Sequence, residues 1–284
     1  MKRMNSKSKK INKTNLIVRL LLISLSIVFI LPLYFSLTTS FKSMKEFYEN
    51  IWSFPTVFRI ENYIEAFSIG HVGEYLFNSI VITLVTLCLV QICSIMCAYA
   101  LARLKIKGAE IVVLFLYAFQ ILPQESNIIP LFMICSKLGI TDVTYLPQIV
   151  AYVGWCLPGT IIIMKNFFMS IPVELLEAAR IDGSTELNTM VKIVLPLMKS
   201  SILTCVVMNF SFAWGELMWA QLSTIASSKG IQITVGLLNF QGMYGTNWPL
   251  LCAAIVMVLI PLFVLFAFAQ KYFVSGLTSG GVKG

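Results

Sequence analysis

EAARIDGSTELNTMVKIVLPLMKS, residues 177–200, is the stretch whose reading decides the fold. It carries Glu177, Arg180, Asp182, Glu186 and Lys192 between two long apolar runs. That is too much charge to lie in hydrocarbon, where each central charge costs roughly 2.5–3.5 kcal/mol on insertion scales. Yet the pattern is helical. Ser170 and Pro172 are start signals, since proline is tolerated in a first turn. From Val173 to Arg180, at about 100° per residue, Leu175, Leu176, Ala178 and Ala179 fall on one side and Glu174, Glu177 and Arg180 on the other. Asp182-Gly183 reads as a turn, because glycine adopts backbone angles that other residues avoid. Ser184 is then placed to cap a second short helix with Glu186 in its first turn, and Pro196 marks the start of the next apolar segment. Interfacial helices resting on head groups usually carry lysine and arginine on the polar face. This one is acidic there, so a docking surface for a cytoplasmic protein is the better reading.

The runs on either side set the class. Of the 284 residues 58% are hydrophobic and 12% charged. Soluble domains have about 45–50% apolar and about 25% charged residues. A chain of this composition is a polytopic membrane protein, and its fold class is all-α. A span needs about 20 apolar residues, and six segments qualify or nearly do: Leu20–Leu37, Leu76–Ala102, Ile111–Ile134, Val143–Met164, Ser200–Leu222 and Trp248–Gln270. Only Glu125 and Glu216 interrupt them. Barrel strands would be alternating segments of about ten residues, which these are not. A cleaved leader is the alternative for the first run. The stretch after it lacks an obvious small-x-small site, and the run is longer than a leader's apolar core, which favours a retained span.

Charge gives the orientation. The net charge is +8, but six of the 21 basic residues lie in the first 15 positions (Lys2, Arg3, Lys7, Lys9, Lys10, Lys13), beside an apolar run. That is a cytoplasmic arm at a membrane, not a nucleic-acid face. With the amino terminus inside, sixteen basic residues are cytoplasmic and five are not. Both termini and the 177–200 stretch are therefore expected in the cytoplasm. The expected organisation is a basic arm over 1–19, a first span and extracytoplasmic segment over 20–73, a five-span core over 74–273 with the loop at 171–196, and a tail over 274–284. The seven cysteines lie in or beside apolar runs without metal-site spacing, and read as small hydrophobes.

Two carboxylates within spans are candidates for a solute path. Glu125 sits in QILPQESNIIP with Gln120, Gln124 and Asn127, where Pro123 and Pro130 would break a helix and free backbone groups, tolerated only against protein or water. Glu216 sits in NFSFAWGELMWAQ with Asn209, Trp214 and Trp219. Polar groups beside aromatic rings suit a sugar, whose C–H faces stack while its hydroxyls need partners. The alternative is that Trp214 and Trp219 form part of an interfacial belt and Glu216 is merely near water.

Glu177-Ala178-Ala179, then Gly183 after three residues, then Ile193-x-Leu195-Pro196 after nine, resembles the loop motif of permease subunits of binding-protein-dependent ABC importers. FFMSIPVELLEAARIDGST, LPQESNIIPLFMICSKLGITDVTY, FNSIVIT and QKYFVSGLTSGGVKG are similar to the carbohydrate-uptake branch. The resemblance covers nearly the whole chain from Phe41. It implies the type I importer permease fold and makes the loop the coupling helices that insert into a cleft of the ATPase subunit, through Glu174, Glu177, Ala178, Ala179, Arg180, Asp182 and Gly183. It further implies two cytoplasmic ATPase subunits using ATP and Mg, a second permease subunit (usually an unlike chain) and an extracytoplasmic solute-binding protein. This chain lacks any Gly-x4-Gly-Lys-Ser/Thr phosphate loop, so it is expected to bind no nucleotide or other cofactor and to be a transport subunit, not an enzyme. One departure stands out: the family often has Trp-Asn-Asp where this chain has Trp214-Gly215-Glu216. Polyols or glycerophosphoryl compounds are alternative solutes. An ion-coupled transporter is the rival mechanism, although paired intramembrane charges and inverted repeats are not visible.

Overall fold

The computed structural model describes residues 13–281 except 69, 105, 226–228 and 243–244, with side chains described from 16 to 270. The basic residues from Lys2 to Lys10 and the last three residues of the expected tail lie outside the described residues. Helices follow one another: α1 Lys13–Thr39, α2 Met44–Glu49, α3 Glu61–Ser68, α4 Val72–Arg103, α5 Ala109–Ile121, α6 Gln124–Lys137, α7 Leu146–Ser170, α8 Val173–Ile181, α9 Glu186–Thr189, α10 Leu195–Leu197, α11 Lys199–Gly215, α12 Met218–Thr224, α13 Ile233–Gly236 and α14 Trp248–Gly281. A π-turn at Met190–Val194 joins α9 to α10. A two-residue antiparallel hairpin pairs Gln241 with Thr246 and Gly242 with Gly245.

Among the described residues, α1, α4, α7 and α14 are each long and apolar enough to cross a bilayer. The other two expected runs are not straight. Ile111–Ile134 is divided into α5 and α6, whose axes differ by 100°. Pro123 forces the division: it has no N–H to donate and holds Leu122 extended, at φ −70° and ψ 124°. Pro130 lies inside α6 and breaks nothing. Ser200–Leu222 is likewise divided, into α11 and α12, at Gly215–Glu216–Leu217. At its other end α11 turns by 79° from the Glu186–Leu197 helical stretch. The turn falls at Met198, two residues beyond Pro196, since proline is tolerated within the first turn of α10. The helix α14 runs on to Gly281, through most of the expected tail, because extending a formed helix fixes one residue per hydrogen bond gained.

The core is built on α4 against α7. Ser79, Thr83, Thr86 and Ser94 on α4 are completely buried, and such small side chains let helix backbones approach closely, the usual basis of packing in lipid. The chain's connections gather at two ends. At one, Arg103 of α4 donates to the carbonyls of Phe168 and Ile171, α8 and the π-turn pack on Tyr99, Phe168 and Met198, and Glu186 of α9 accepts from Tyr99. At the other, Tyr145 donates to Asn78 (2.7 Å) and Asn78 to the Ile231 carbonyl (3.0 Å). There Phe47 also stacks on Trp248 at 5.7 Å. The end of α4 and the 171–196 loop, both expected inside, thus meet at one end, and segments expected outside meet at the other.

The outer segment is ordered around a lysine. Lys42 is wholly buried and donates to the Asn50 and Ile51 carbonyls at 2.9 and 3.0 Å, closing the carboxyl end of α2. Burial pushes its pKa below the ordinary lysine range, against a smaller opposing pull from Glu46. Ser43 and Glu46 form a capping box at the amino end of α2.

Candidate functional site

The loop over 171–196 presents a formed surface. Its first helix, α8, seats Leu176 (3% exposed) in the cluster made by Tyr99, Phe168, Ile171, Met190 and Val194, and buries Ala179 (5%) on the same side. Leu175 and Ala178, expected on that same side, are exposed. The reason is angular: residues 176 and 179 point into the bundle, which leaves 174, 177, 178 and 181 as one outward stripe at i, i+3, i+4 and i+7. Glu174, Glu177, Ala178 and Ile181 therefore share one face, with Leu175 and Arg180 on its flanks. Ile181 is 87% exposed and was not singled out in the sequence. An apolar residue immediately before Asp-Gly was the available signal.

The corner is a Schellman motif. Ser184 N–H donates to the Ala179 carbonyl (2.9 Å) and Gly183 N–H to that of Arg180 (3.0 Å). Gly183 supplies the left-handed residue that this requires, with φ +77°, as the Asp-Gly pair predicts. Thr185, not Ser184, caps α9, accepting from Asn188 N–H at 3.3 Å. Thr185 holds the extended backbone of an N-cap, φ −72° and ψ 157°, whereas Ser184 is engaged in closing the corner. The Glu186 carboxylate accepts from Tyr99 O–H at 2.7 Å and, at its other oxygen, from Arg180 Nε at 2.9 Å and Nη2 at 2.8 Å. The Tyr99 bond, then Arg180, holds this carboxyl below the usual range.

Two adjoining hollows of about 300 and about 410 Å³ lie among α5, α6, α7 and α11 and share Gln124, Trp155 and Phe212. Gln120, Thr160 and Asn209 line the first, and Glu125 and Glu216 the second. Gly159 makes room for Gln120: a Cβ there would sit 2.8 Å from its amide nitrogen. Thr160 and Asn209, both buried, fix each other, with Asn209 Nδ2 donating to Thr160 Oγ1 at 2.9 Å. Trp155 stands between the hollows, edge-on to Phe212 and Trp219 at 6.2 and 6.0 Å. The sequence reading missed Trp155, since a tryptophan within an uncharged run has no local signal of facing a cavity.

The break at Pro123 explains why α5 and α6 deliver three of these groups. Gln124 and Glu125 open α6, where a carboxylate is favoured by the helix dipole, and Gln120 closes α5 one turn earlier. Glu216 has a structural duty as well. Its Oε2 accepts from Tyr152 O–H (2.8 Å) and Ala220 N–H (2.9 Å), and its Oε1 from Trp219 N–H (2.8 Å), so it caps α12. Asn127 lies exposed on α6 and lines neither hollow. Trp214 is absent from them too, stacked on Phe210 at 5.3 Å and donating to the Val258 carbonyl at 3.2 Å. Trp214 and Trp219 are both buried, so neither belongs to an interfacial belt.

Residues 91–279 match the family model described as the inner membrane component of binding-protein-dependent transport systems. The chain belongs to that family. The matched region holds the whole 171–196 loop and most of the walls of both hollows. Family members are membrane-embedded transport subunits, not enzymes in themselves. Among relatives, the trehalose/maltose transport system permease protein MalG of Thermococcus litoralis is 38% identical over 229 residues, 79% of this chain and 81% of that protein. The melibiose/raffinose/stachyose import permease protein MelC of Bacillus subtilis is 33% identical over 273 residues, 96% of this chain and 98% of that protein. The crystal structure of a bacterial ABC transporter for import of the acidic polysaccharide alginate contains a chain of the same fold, with TM-score 0.81 and 22% identity, covering 96% of this chain and all of that one. The family member described here thus has the type I ABC importer permease fold.

Proposed function

We propose that this chain is a six-span permease subunit that passes a carbohydrate inward across the cytoplasmic membrane, driven by ATP hydrolysed on separate subunits. The bent pair α5–α6 serves as one traverse and the 200–222 stretch, α11 with α12, as another, which with the four straight helices makes six. The two-ended grouping of the connections supports the 103–107 connection and the 171–196 loop sharing the inner side, and the distribution of basic residues supports both termini lying there too. Of two ATPase subunits, one docks on the Glu174–Glu177–Ala178–Ile181 face and the Gly183 corner, and the other on the second permease chain. A solute-binding protein delivers the sugar at the opposite end, and a second permease chain, unlike this one, completes the path. The chain itself holds no nucleotide.

The observation that carries the carbohydrate reading is the pair of hollows around Trp155. They offer the amides of Gln120 and Gln124, the Thr160–Asn209 pair and the Glu125 carboxylate beside an indole face. Hydroxyl groups require donors and acceptors at fixed positions, and the C–H face of a pyranose stacks on an aromatic ring. The relatives' names, for trehalose, maltose, melibiose and raffinose, support the same class. The test is ATP-dependent uptake of a panel of labelled di- and trisaccharides into proteoliposomes holding the assembled complex. Trp155→Ala is expected to raise the KM for the accepted sugar by roughly tenfold, as loss of about 1.4 kcal/mol of uniform binding would. Uptake that follows an ion gradient and ignores ATP would overturn the reading.

A further inference from the structure

The loop that meets the ATPase must move some part of the bundle; close-packed apolar contacts resist compression but, being non-directional, do not fix register or resist sliding. Leu176, Met190 and Val194 attach the loop to the bundle in that non-directional way. A directional attachment is the Glu186 carboxylate. Glu186 of α9 joins Arg180 of α8 to Tyr99 of α4, with the bond to Tyr99 at 2.7 Å. The Tyr99 ring is buried and lies edge-on to Phe168 of α7 at 5.5 Å. One turn further along α4, Arg103 donates to the carbonyl of Phe168, in the last turn of α7, and to that of Ile171, where the loop begins. The loop and the end of α7 are thus both fastened to one helix.

That helix is suited to carrying load. It has 32 residues, about 48 Å at 1.5 Å per residue, and no proline in its interior. Long helices kink chiefly at proline, glycine pairs or bulges; α1, α7 and α14 each contain a proline, at Pro32, Pro158 and Pro261. The far end of α4 is fastened by directional bonds as well. Asn78 donates to the Ile231 carbonyl at 3.0 Å and accepts from Tyr145 O–H at 2.7 Å, and Ser79 Oγ accepts from Ile233 N–H at 2.8 Å.

We propose that α4 is a rigid strut, pinned to the coupling loop through Tyr99, Glu186 and Arg180 and to the 231–233 segment through Asn78 and Ser79, that carries displacement of the loop to the opposite end of the permease. Tyr99 and Glu186 are positioning residues: they touch neither solute nor nucleotide. The proposal rests on the loop's being the ATPase joint.

The experiment compares wild type, Tyr99→Phe, Glu186→Ala, Glu186→Gln and Asn78→Leu in complexes purified with the ATPase subunits. Three quantities are read: ATPase co-purification, hydrolysis stimulated by the loaded binding protein, and solute moved per ATP. Tyr99→Phe and Glu186→Ala should keep the ATPase bound yet move several-fold less solute per ATP. Asn78→Leu, at the far end, should share that uncoupling. Glu186→Gln, which still offers an acceptor oxygen to Tyr99, should fall between these and wild type. Wild-type solute per ATP in Tyr99→Phe and Glu186→Ala overturns the strut, and so does failure of these variants to co-purify the ATPase, which would make these residues part of the docking surface. A wild-type complex without ATP-driven uptake would instead overturn the functional reading, and the strut with it.

Discussion

Glu216 illustrates how a residue's duty depends on atoms that sequence spacing does not reveal. As a carboxylate beside tryptophans it reads as a sugar ligand, yet three donors already occupy its oxygens: the phenol of Tyr152 and the N–H groups of Trp219 and Ala220. Removing the acceptor strands those groups, at a cost of about 1–3 kcal/mol for each that remains buried and unpaired. Glu216→Ala is therefore expected to lower the thermal unfolding midpoint in detergent, with Glu216→Gln retaining part of the loss. Equal midpoints for Glu216→Ala and wild type would remove the capping role. Gly183 was fully legible, because Asp-Gly between two amphipathic segments has one common solution, a left-handed corner. A Cβ at Gly183 would meet nothing within 4 Å. The penalty for Gly183→Val within this chain is thus backbone strain at φ +77°, on the order of 1–3 kcal/mol.

At the scale of elements, hydropathy counts apolar residues and is blind to direction. It therefore finds α1, α4, α7 and α14 and runs α5 into α6. The bend at Pro123 was legible as a break but not as an angle, since proline removes a bond without dictating where the next helix points. The α8 face was half legible. Its periodicity separates acidic from apolar residues, but which apolar residues face the bundle depends on where Tyr99 and Phe168 lie. The outer segment was legible only as ordered, because Lys42 reaches eight residues along the chain to its partners. A pH effect is expected in this segment. Hydrogen bonds from Thr56 and then from Ser43 hold the Glu46 carboxyl at about 2, below the unfolded value of about 4.3. The folded pKa is depressed, so the stabilisation is complete above about 4.3 and is lost as pH falls towards 2. Amide exchange protection over residues 43–56, corrected for intrinsic rates, should fall across that window in wild type. It should be low and flat in Glu46→Gln, and a flat wild-type profile would contradict the assignment.

For the whole molecule, the positive-inside count and the packing agree on which connections share an end, though packing alone has no sense of inside and outside. Single cysteines in a cysteine-free background supply it. A cysteine at Ser184 should be shielded from an impermeant thiol reagent added to intact cells, while one at Lys45 should react; the reverse pattern would invert the orientation. The central claim is that the loop over 171–196 makes this permease an ATP-driven machine, and its most direct test is hydrolysis by the reconstituted complex with and without loaded binding protein. Wild type should co-purify with the ATPase and hydrolyse ATP faster when the loaded binding protein is added. Glu177→Lys and Gly183→Val should insert normally but lose both the bound ATPase and the stimulation. If both variants hold the ATPase and respond to the binding protein as wild type does, the joint lies elsewhere on the chain.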